Sequence, residues 1–225
     1  FANILDTTEA INVNVDQKGL GVYWANWLIK EVPNGGKILE VRGVAGTSVD
    51  TDRHNGIHET LDASGKKWDV VEVVGKWDDG TAQKASADAI ATQKHFDGIT
   101  VQGGSTGTVR AFMDAKHPFV PVGGETENGF RKLCAAHAGE GLKCASGGTG
   151  PAQVAVAIKT AITALEGELE LAHVRAQLVG VMSSDRSGDH DPAEAEGEAG
   201  RGRQESAPHR HGVWRCAGQR GMCET

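Results

Sequence analysis

Five glycine-containing segments of the sequence carry side chains suited to hydrogen bonding with a small polar molecule. They are GVAGTSVDTDR (43–53), GKWDDGT (75–81), QGGSTG (102–107), GGETENG (123–129) and SGGTGP (146–151). Glycine lets a ligand approach the backbone closely. Among the side chains, Arg53 offers a planar set of donors, Glu125 offers acceptors and Trp77 offers an apolar ring face. These segments are therefore the first place to look for chemistry.

No common nucleotide-binding or catalytic motif lies in these segments. GVAGTS lacks the spacing of G-x-G-x-x-G and the lysine of G-x-x-x-x-G-K-[ST]. No Ser, Cys or His there has an evident activating partner, and neither H-E-x-x-H nor C-x-x-C occurs in the chain. The sequence thus predicts a binding site rather than an enzyme, with no cofactor and no metal.

Three of these side chains have a structural interpretation beside the functional one. Trp77 either covers the C–H face of a pyranose or furanose ring, or packs on its own helix. Arg53 either grips a polyol or carboxylate ligand, or forms a salt bridge with Asp50 or Asp79. Glu125 either accepts hydrogen bonds from ligand hydroxyls, or is a solvated carboxylate at a helix N-terminus.

The elements that must position these segments follow an alternating pattern typical of an α/β fold. The predicted strands cover 10–15, 37–42, 68–74, 98–101, 119–122 and 142–145. The predicted helices cover 18–32, 51–63, 81–93, 106–115, 127–138 and 151–166. We expect a doubly wound parallel sheet with helices on both faces. The glycine-containing turns then lie at the carboxyl ends of the strands, where such sheets bind ligands.

Composition excludes some classes of protein and divides the chain. The 225 residues carry a net charge of −7, which argues against nucleic acid as a partner. No window approaches the roughly 18 to 20 apolar residues of a membrane span. Residues 183–212 contain no Val, Leu, Ile, Met or aromatic residue, a composition typical of disorder. The folded region is therefore expected to end near Gly167.

The ordered set of turns resembles the periplasmic sugar-binding proteins of bacterial ABC transporters, in particular the ribose-type, two-lobed group. The run VDQKGLGVYWANWLIKEVPNGGKILEVRGVAGTSVDTDRHNGI looks like the segment in which that family leaves its first lobe and enters the second. The resemblance implies one lobe of a type I periplasmic binding protein over 35–167. Residues 1–34 are then a remnant of the N-terminal lobe with a hinge crossing, and 168–225 are a disordered tail.

The same resemblance assigns sugar-binding roles residue by residue. An arginine after the G-T-S turn grips the sugar, an aromatic residue in the next turn stacks on its ring, and polar residues after the following strands bind hydroxyls. At one of those positions the family has Asn or Asp, where this sequence has QGGSTG. The implied site residues are Arg53, Trp77, Gly103, Gly104, Ser105 and Glu125.

Function follows from the resemblance as an expectation. The chain is expected to be the periplasmic substrate-binding component of an ABC-type sugar transporter, which closes two lobes about a monosaccharide or polyol and docks on the membrane permease. With one lobe, it is expected to bind weakly. Two alternatives remain: the ligand-sensing domain of a sugar-responsive regulator, and an enzyme acting on a sugar or sugar phosphate.

The cysteines form two pairs along the sequence. In an oxidising periplasm, Cys134 and Cys144 are expected to form a disulfide, although two unpaired buried thiols are the alternative. Cys216 and Cys223 lie near two histidines, His209 and His211, but in no usual zinc-ligand spacing. No metal site is predicted there.

Overall fold

The computed structural model describes residues 10–148, 150, 152–166 and 176–177. Its helices are α1 (Gln17–Glu31), α2 (Ser48–Ala63), α3 (Asp79–Gln93), α4 (Ser105–Asp114), α5 (Asn128–His137) and α6 (Ala152–Leu165). Its strands are β1 (Val13–Asn14), β2 (Gly36–Arg42), β3 (Trp68–Val74), β4 (Gly98–Val101), β5 (Val122–Gly124), β6 (Cys144–Ser146) and β7 (Ala176–Gln177). None of the helices in these residues has the length and hydropathy needed to cross a membrane.

Strands β2 to β6 form a parallel sheet in the order β3-β2-β4-β5-β6. From β2 the chain passes to β3 at one edge of the sheet. It then returns to the other side of β2, where β4, β5 and β6 follow in order to the opposite edge. The switch in direction falls between β2 and β4, and their carboxyl ends are where a ligand crevice opens in such sheets. The predicted doubly wound α/β fold is confirmed.

Side chains that alternate along the strands belong to two separate apolar clusters, one on each face of the sheet. Ile38 packs with residues of α1 and α2, whereas its neighbours Leu39 and Val41 pack with residues of α3, α4 and α5. This alternation follows from the two-residue period of a strand. Helices therefore cover both faces of the sheet, which explains why β2 has the continuous buried run expected of a parallel strand.

Strand β5 begins later than the sequence predicts. The apolar run at 119–122 predicted a strand there, but β5 covers Val122–Gly124. Pro118 and Pro121 have no N–H to donate to a neighbouring strand, which disfavours regular pairing before Val122. A disulfide joins Cys134 of α5 to Cys144, the first residue of β6. This is the pair expected from the sequence.

Helix α1 precedes the predicted lobe boundary at residues 34 and 35 and packs on the five-stranded sheet. Leu20, Trp24 and Leu28 of α1 are at most 2% exposed and pack against β2 and α2. Helix α1 therefore contributes to the apolar cluster on this face of the sheet. The helical pattern in the sequence shows that an apolar face exists, but not which sheet buries it.

Helices α1 and α2 pack with their backbones unusually close, because a glycine lies on each side of the contact. A Cβ atom on Gly21 would overlap the carbonyl oxygen of Arg53, and one on Gly56 would overlap the carbonyl oxygen of Lys18. The missing side chains allow an approach that no larger residue permits. This contact fixes the height of α2, and with it Arg53, above the sheet.

Helix α6 differs from the other five helices of the described residues, because none of its side chains is buried. Its apolar residues Val154, Ile158, Ile162 and Leu165 are 49–88% exposed and lie at helical spacing on one face. The lobe predicted to run to residue 167 therefore has its packed core before α6.

The predicted tail, 168–225, lies outside the described residues apart from β7. That two-residue strand pairs in parallel with β1, so Val13 lies opposite Ala176 and Asn14 opposite Gln177. The apolar-poor stretch at 183–212 is outside the described residues.

We expect Gly21→Ala to destabilise the protein and Gly80→Ala to leave it unchanged or slightly stabilised. Helix propensity alone favours alanine over glycine by about 1 kcal/mol. At Gly21 the added Cβ meets the α2 backbone, so we expect a net loss of about 1–3 kcal/mol in the free energy of unfolding. At Gly80 its nearest neighbour is Asp78 Oδ1 at 3.5 Å, an ordinary contact. Urea unfolding measures both, and a more stable Gly21→Ala protein would contradict the close helix contact.

Candidate functional site

A cleft of about 370 Å³ opens at the carboxyl ends of the central strands. It is lined from α2, from the turns after β3, β4 and β5, and from the segments around β1 and α6. The lining residues are Asn14, Gln17, Val49, Arg53, Trp77, Gly103, Glu125, Thr126, Glu127 and Gln153. The position is the one that the switch in strand order predicts.

Arg53 is the most constrained side chain of the cleft, with only 5% of it exposed. Its Nε donates to Gln17 Oε1 at 2.8 Å, and its Nη1 donates to the Gln102 carbonyl and to Glu125 Oε2, each at 2.6 Å. The guanidinium carbon lies 5.6 Å from the ring centre of Trp24, within the range of a cation–π contact. The Nη2 group makes no hydrogen bond within the described part of the chain.

These contacts exclude one of the two sequence interpretations of Arg53. The predicted alternative was a salt bridge with Asp50 or Asp79. Asp50 instead binds Arg42 at 2.7 Å, and Asp79 Oδ1 accepts from the Gly107 N–H at 3.0 Å. Arg53 pairs with Glu125 across the cleft, so the two predicted ligand-binding residues with opposite charge are brought together.

Trp77 lies in the cleft against the glycines of two neighbouring turns. A Cβ on Gly43 would overlap its indole nitrogen, and one on Gly103 would lie 2.9 Å from its Cδ1. Lys76 and Trp77 both have a left-handed backbone, with φ of 56° and 57°, which costs on the order of 1–3 kcal/mol per residue outside glycine. The indole therefore packs against the turns after β2 and β4.

The N-terminus of α4 is occupied by a carboxylate of the protein itself. Glu127 Oε1 accepts from the N–H groups of Gly104 (2.6 Å) and Ser105 (3.1 Å), while Oε2 accepts from the N–H and hydroxyl of Thr106, both at 3.0 Å. A carboxylate at this position is favoured by the free N–H groups and the helix dipole. The backbone donors of this turn are therefore already used.

The predicted site residues consequently fall into two groups. Arg53, Trp77, Gly103 and Glu125 line the cleft. Gly104 and Ser105 do not line it. Ser105 is fully buried, and its hydroxyl has no hydrogen-bond partner among the described residues.

Sequence reasoning missed the amide side chains that complete the cleft. Gln17 Nε2 donates to Asn14 Oδ1 at 2.9 Å, and Gln153 Nε2 donates to the Val13 carbonyl at 2.8 Å. Gln17 comes directly after Asp16, whose carboxylate caps α1 by accepting from the Gly19 N–H. That capping pattern marks a helix N-terminus, and this was the signal by which Gln17 could have been found.

Comparison with known proteins places the chain among binding proteins. A sequence model described as a periplasmic binding protein domain matches residues 2–169. No curated protein sequence gives a significant match.

Solved structures share the fold at low sequence identity. An ABC transporter solute binding protein from Agrobacterium vitis with bound D-fucose has 20% identity and a TM-score of 0.67, covering 80% of this chain and 61% of that chain. A galactofuranose binding protein has 15% identity and a TM-score of 0.68, covering 80% of this chain and 62% of that chain. A Caulobacter myo-inositol binding protein bound to myo-inositol has 20% identity and a TM-score of 0.64, covering 74% of this chain and 58% of that chain. The chain therefore spans about 58–62% of the length of these relatives.

We expect Glu127→Gln to lower the free energy of unfolding by about 1–3 kcal/mol, because a neutral amide cannot replace the charged acceptor of four hydrogen bonds. The matched control is Glu59→Gln, which removes only an exposed ion pair with Lys18 and should cost at most about 0.5 kcal/mol. Chemical unfolding of both variants measures the difference. Equal losses would show that Glu127 does not hold the α4 N-terminus.

Proposed function

The chain belongs to the periplasmic binding protein family, and we propose that it binds a monosaccharide or polyol as the substrate-binding component of a bacterial ABC-type sugar transporter. The family match covers residues 2–169. Structural relatives carry sugars or polyols: D-fucose in one, myo-inositol in another and glycerol in a third, from Mycobacterium smegmatis. The proposal names the ligand by chemical class, a monosaccharide or polyol, and not as one particular sugar.

The observation that carries the proposal is the pair of buried Arg53 and half-buried Glu125 in the cleft that Trp77 also lines. A ring hydroxyl is both donor and acceptor, so it matches an arginine N–H and a carboxylate oxygen side by side. The Nη2 group of Arg53 supplies the donors that are not used within the described residues. The indole of Trp77 supplies an apolar surface for the C–H face of the ring.

The charges of the cleft favour a neutral ligand over a phosphorylated one. The helix N-terminus that most readily binds phosphate, that of α4, already holds Glu127. Glu125 and Glu127 both line the cleft, against one guanidinium. A sugar phosphate would therefore bring two or so further negative charges next to these carboxylates.

The same residues disfavour the enzyme alternative. The cleft lining of the described residues contains no Ser, Cys or His, and both carboxylates accept hydrogen bonds from the protein. A general base needs a lone pair that faces the substrate proton. Ligand binding without turnover fits this set of groups better.

Transport further requires a partner and a location. We propose that the chain acts in the periplasm and delivers its sugar to a membrane permease. The disulfide between Cys134 and Cys144 supports an oxidising compartment. In this proposal, a second lobe closes over the cleft and the closed form is selected by the ligand, since contacts from both lobes stabilise it.

We expect the 225-residue chain alone to bind weakly, with dissociation constants roughly millimolar or higher. Each hydrogen bond that a second lobe would add contributes of order 1 kcal/mol, and each 1.4 kcal/mol is a factor of ten in affinity. Ligand-observed NMR with ribose, arabinose, galactose, myo-inositol and glycerol detects binding in this range. Micromolar affinity by calorimetry would contradict the expected weakness, and no signal from any of the five compounds would contradict the proposed ligand class.

Two arginine variants separate site binding from non-specific contact. Arg53→Lys keeps the charge but loses the fork that reaches Gln17, Gln102 and Glu125 together, so we expect the strongest ligand to lose at least about tenfold in affinity. Arg110→Lys is the matched control at an exposed position on α4 and should change nothing. If both variants bind like the parent chain, Arg53 is not part of the binding site.

A further inference from the structure

A second cluster of polar side chains lies on the sheet face that α2 covers, and ligand binding in the cleft does not use it. It consists of Glu40 of β2, Glu72 of β3, and His54 and His58 of α2. One ligand atom from each of the four lies within 4.8 Å of the others. Glu40 is fully buried, whereas the two histidine side chains are 20% and 31% exposed.

We propose that Glu40, His54, His58 and Glu72 bind a divalent transition-metal ion of the zinc type. The donor set would be His54 Nδ1, His58 Nε2 and one carboxylate oxygen each from Glu40 and Glu72. Imidazole nitrogen and carboxylate oxygen are the ligands that zinc takes beside thiolate, and four ligands complete its usual tetrahedral shell.

The distances are close to those that a tetrahedral ion requires. Two ligands about 2.0–2.1 Å from an ion, at the tetrahedral angle, lie about 3.3 Å from each other. Glu40 oxygens lie 3.1 Å from His54 Nδ1 and 2.9 Å from His58 Nε2. The nearest Glu72 oxygens lie 4.0 Å from the same two nitrogens. The histidines must move a few tenths of an ångström outward, and Glu72 must move inward.

Glu72 is free to make this movement, because 40% of its side chain is exposed. It pairs with Arg42 Nη1 at 2.9 Å, and Arg42 is also held by Asp50 through Nε and Nη2. Arg42 therefore keeps a carboxylate partner when Glu72 turns toward an ion. The guanidinium is then paired with Asp50 and not with the proposed ligands.

The charge of the cluster also favours a cation. With neutral histidines, the three carboxylates Glu40, Glu72 and Asp50 outnumber the one guanidinium of Arg42 by two. A divalent ion would balance that excess.

The step that loads the ion needs no oxidant or other reactant. Each ring now donates an N–H to Glu40, and on binding that nitrogen gives up its proton, either to the other ring nitrogen when that one carries none or to solvent when both are protonated. The freed lone pair then coordinates the ion. The imidazole rings have centroids 4.1 Å apart, as expected for residues one helical turn apart on α2.

The test titrates the whole 225-residue chain with Zn²⁺ and with Co²⁺, using calorimetry for stoichiometry and the visible absorption of Co²⁺ for coordination. We expect His54→Gln/His58→Gln to bind one ion fewer than the parent chain, or to bind it at least about tenfold more weakly. The matched control is His95→Gln/His117→Gln, which removes another neighbouring histidine pair with one carboxylate, Asp97, and should leave the stoichiometry unchanged.

A second measurement on the parent chain does not depend on the folding of any variant. Histidine ring ¹H–¹⁵N spectra should show Zn²⁺-dependent shifts at His54 Nδ1 and His58 Nε2. The proposal is overturned if these nitrogens do not respond, or if the double variant of α2 binds as many ions as the parent and with the same affinity. It is also overturned if binding disappears only in Cys216→Ser/Cys223→Ser, which would assign the ion to the C-terminal cysteines.

Discussion

The buried guanidinium of Arg53 sets the requirements that the rest of the site meets. A charge removed from water must be paired and hydrogen-bonded, and three parts of the fold supply the partners: α1 gives Gln17 and Trp24, the end of β4 gives the Gln102 carbonyl, and the turn after β5 gives Glu125. None of these elements reaches Arg53 unless the sheet order brings β2, β4 and β5 side by side. The cleft is thus a product of the strand order as much as of its lining residues.

A second carboxylate explains why the cleft differs from a phosphate site on a similar sheet. In many doubly wound folds the helix after a central strand presents free N–H groups to a phosphate. Here the carboxylate of Glu127 accepts hydrogen bonds from those N–H groups, so they are not available to a ligand. The helix terminus thus contributes rigidity, by joining the turns after β4 and β5, and the recognition of a ligand passes to side chains such as Arg53 and Trp77.

Much of this could be predicted from residue order, because strand and helix periods and the turns between them are local properties. Arg53, Trp77 and Glu125 were found because polar residues follow apolar strands, and parallel strands end at one edge. The role of Glu127 was missed, since a carboxylate in a turn has the same pattern whether it faces solvent or a helix end. His54 and His58 have the four-residue spacing of one helix face, but Glu40 and Glu72 join them only through the pairing of β2 with β3.

The close contact of α1 and α2 has a consequence for how ligand preference could evolve. Because Gly21 faces the backbone of Arg53 itself, the spacing of two helices, and not only the chemistry of lining side chains, sets how far the guanidinium extends into the cleft. A related chain with a larger residue at that contact would carry the same arginine on a displaced helix. Selectivity among hydroxylated ligands of different size is then inherited partly from positions that no ligand touches.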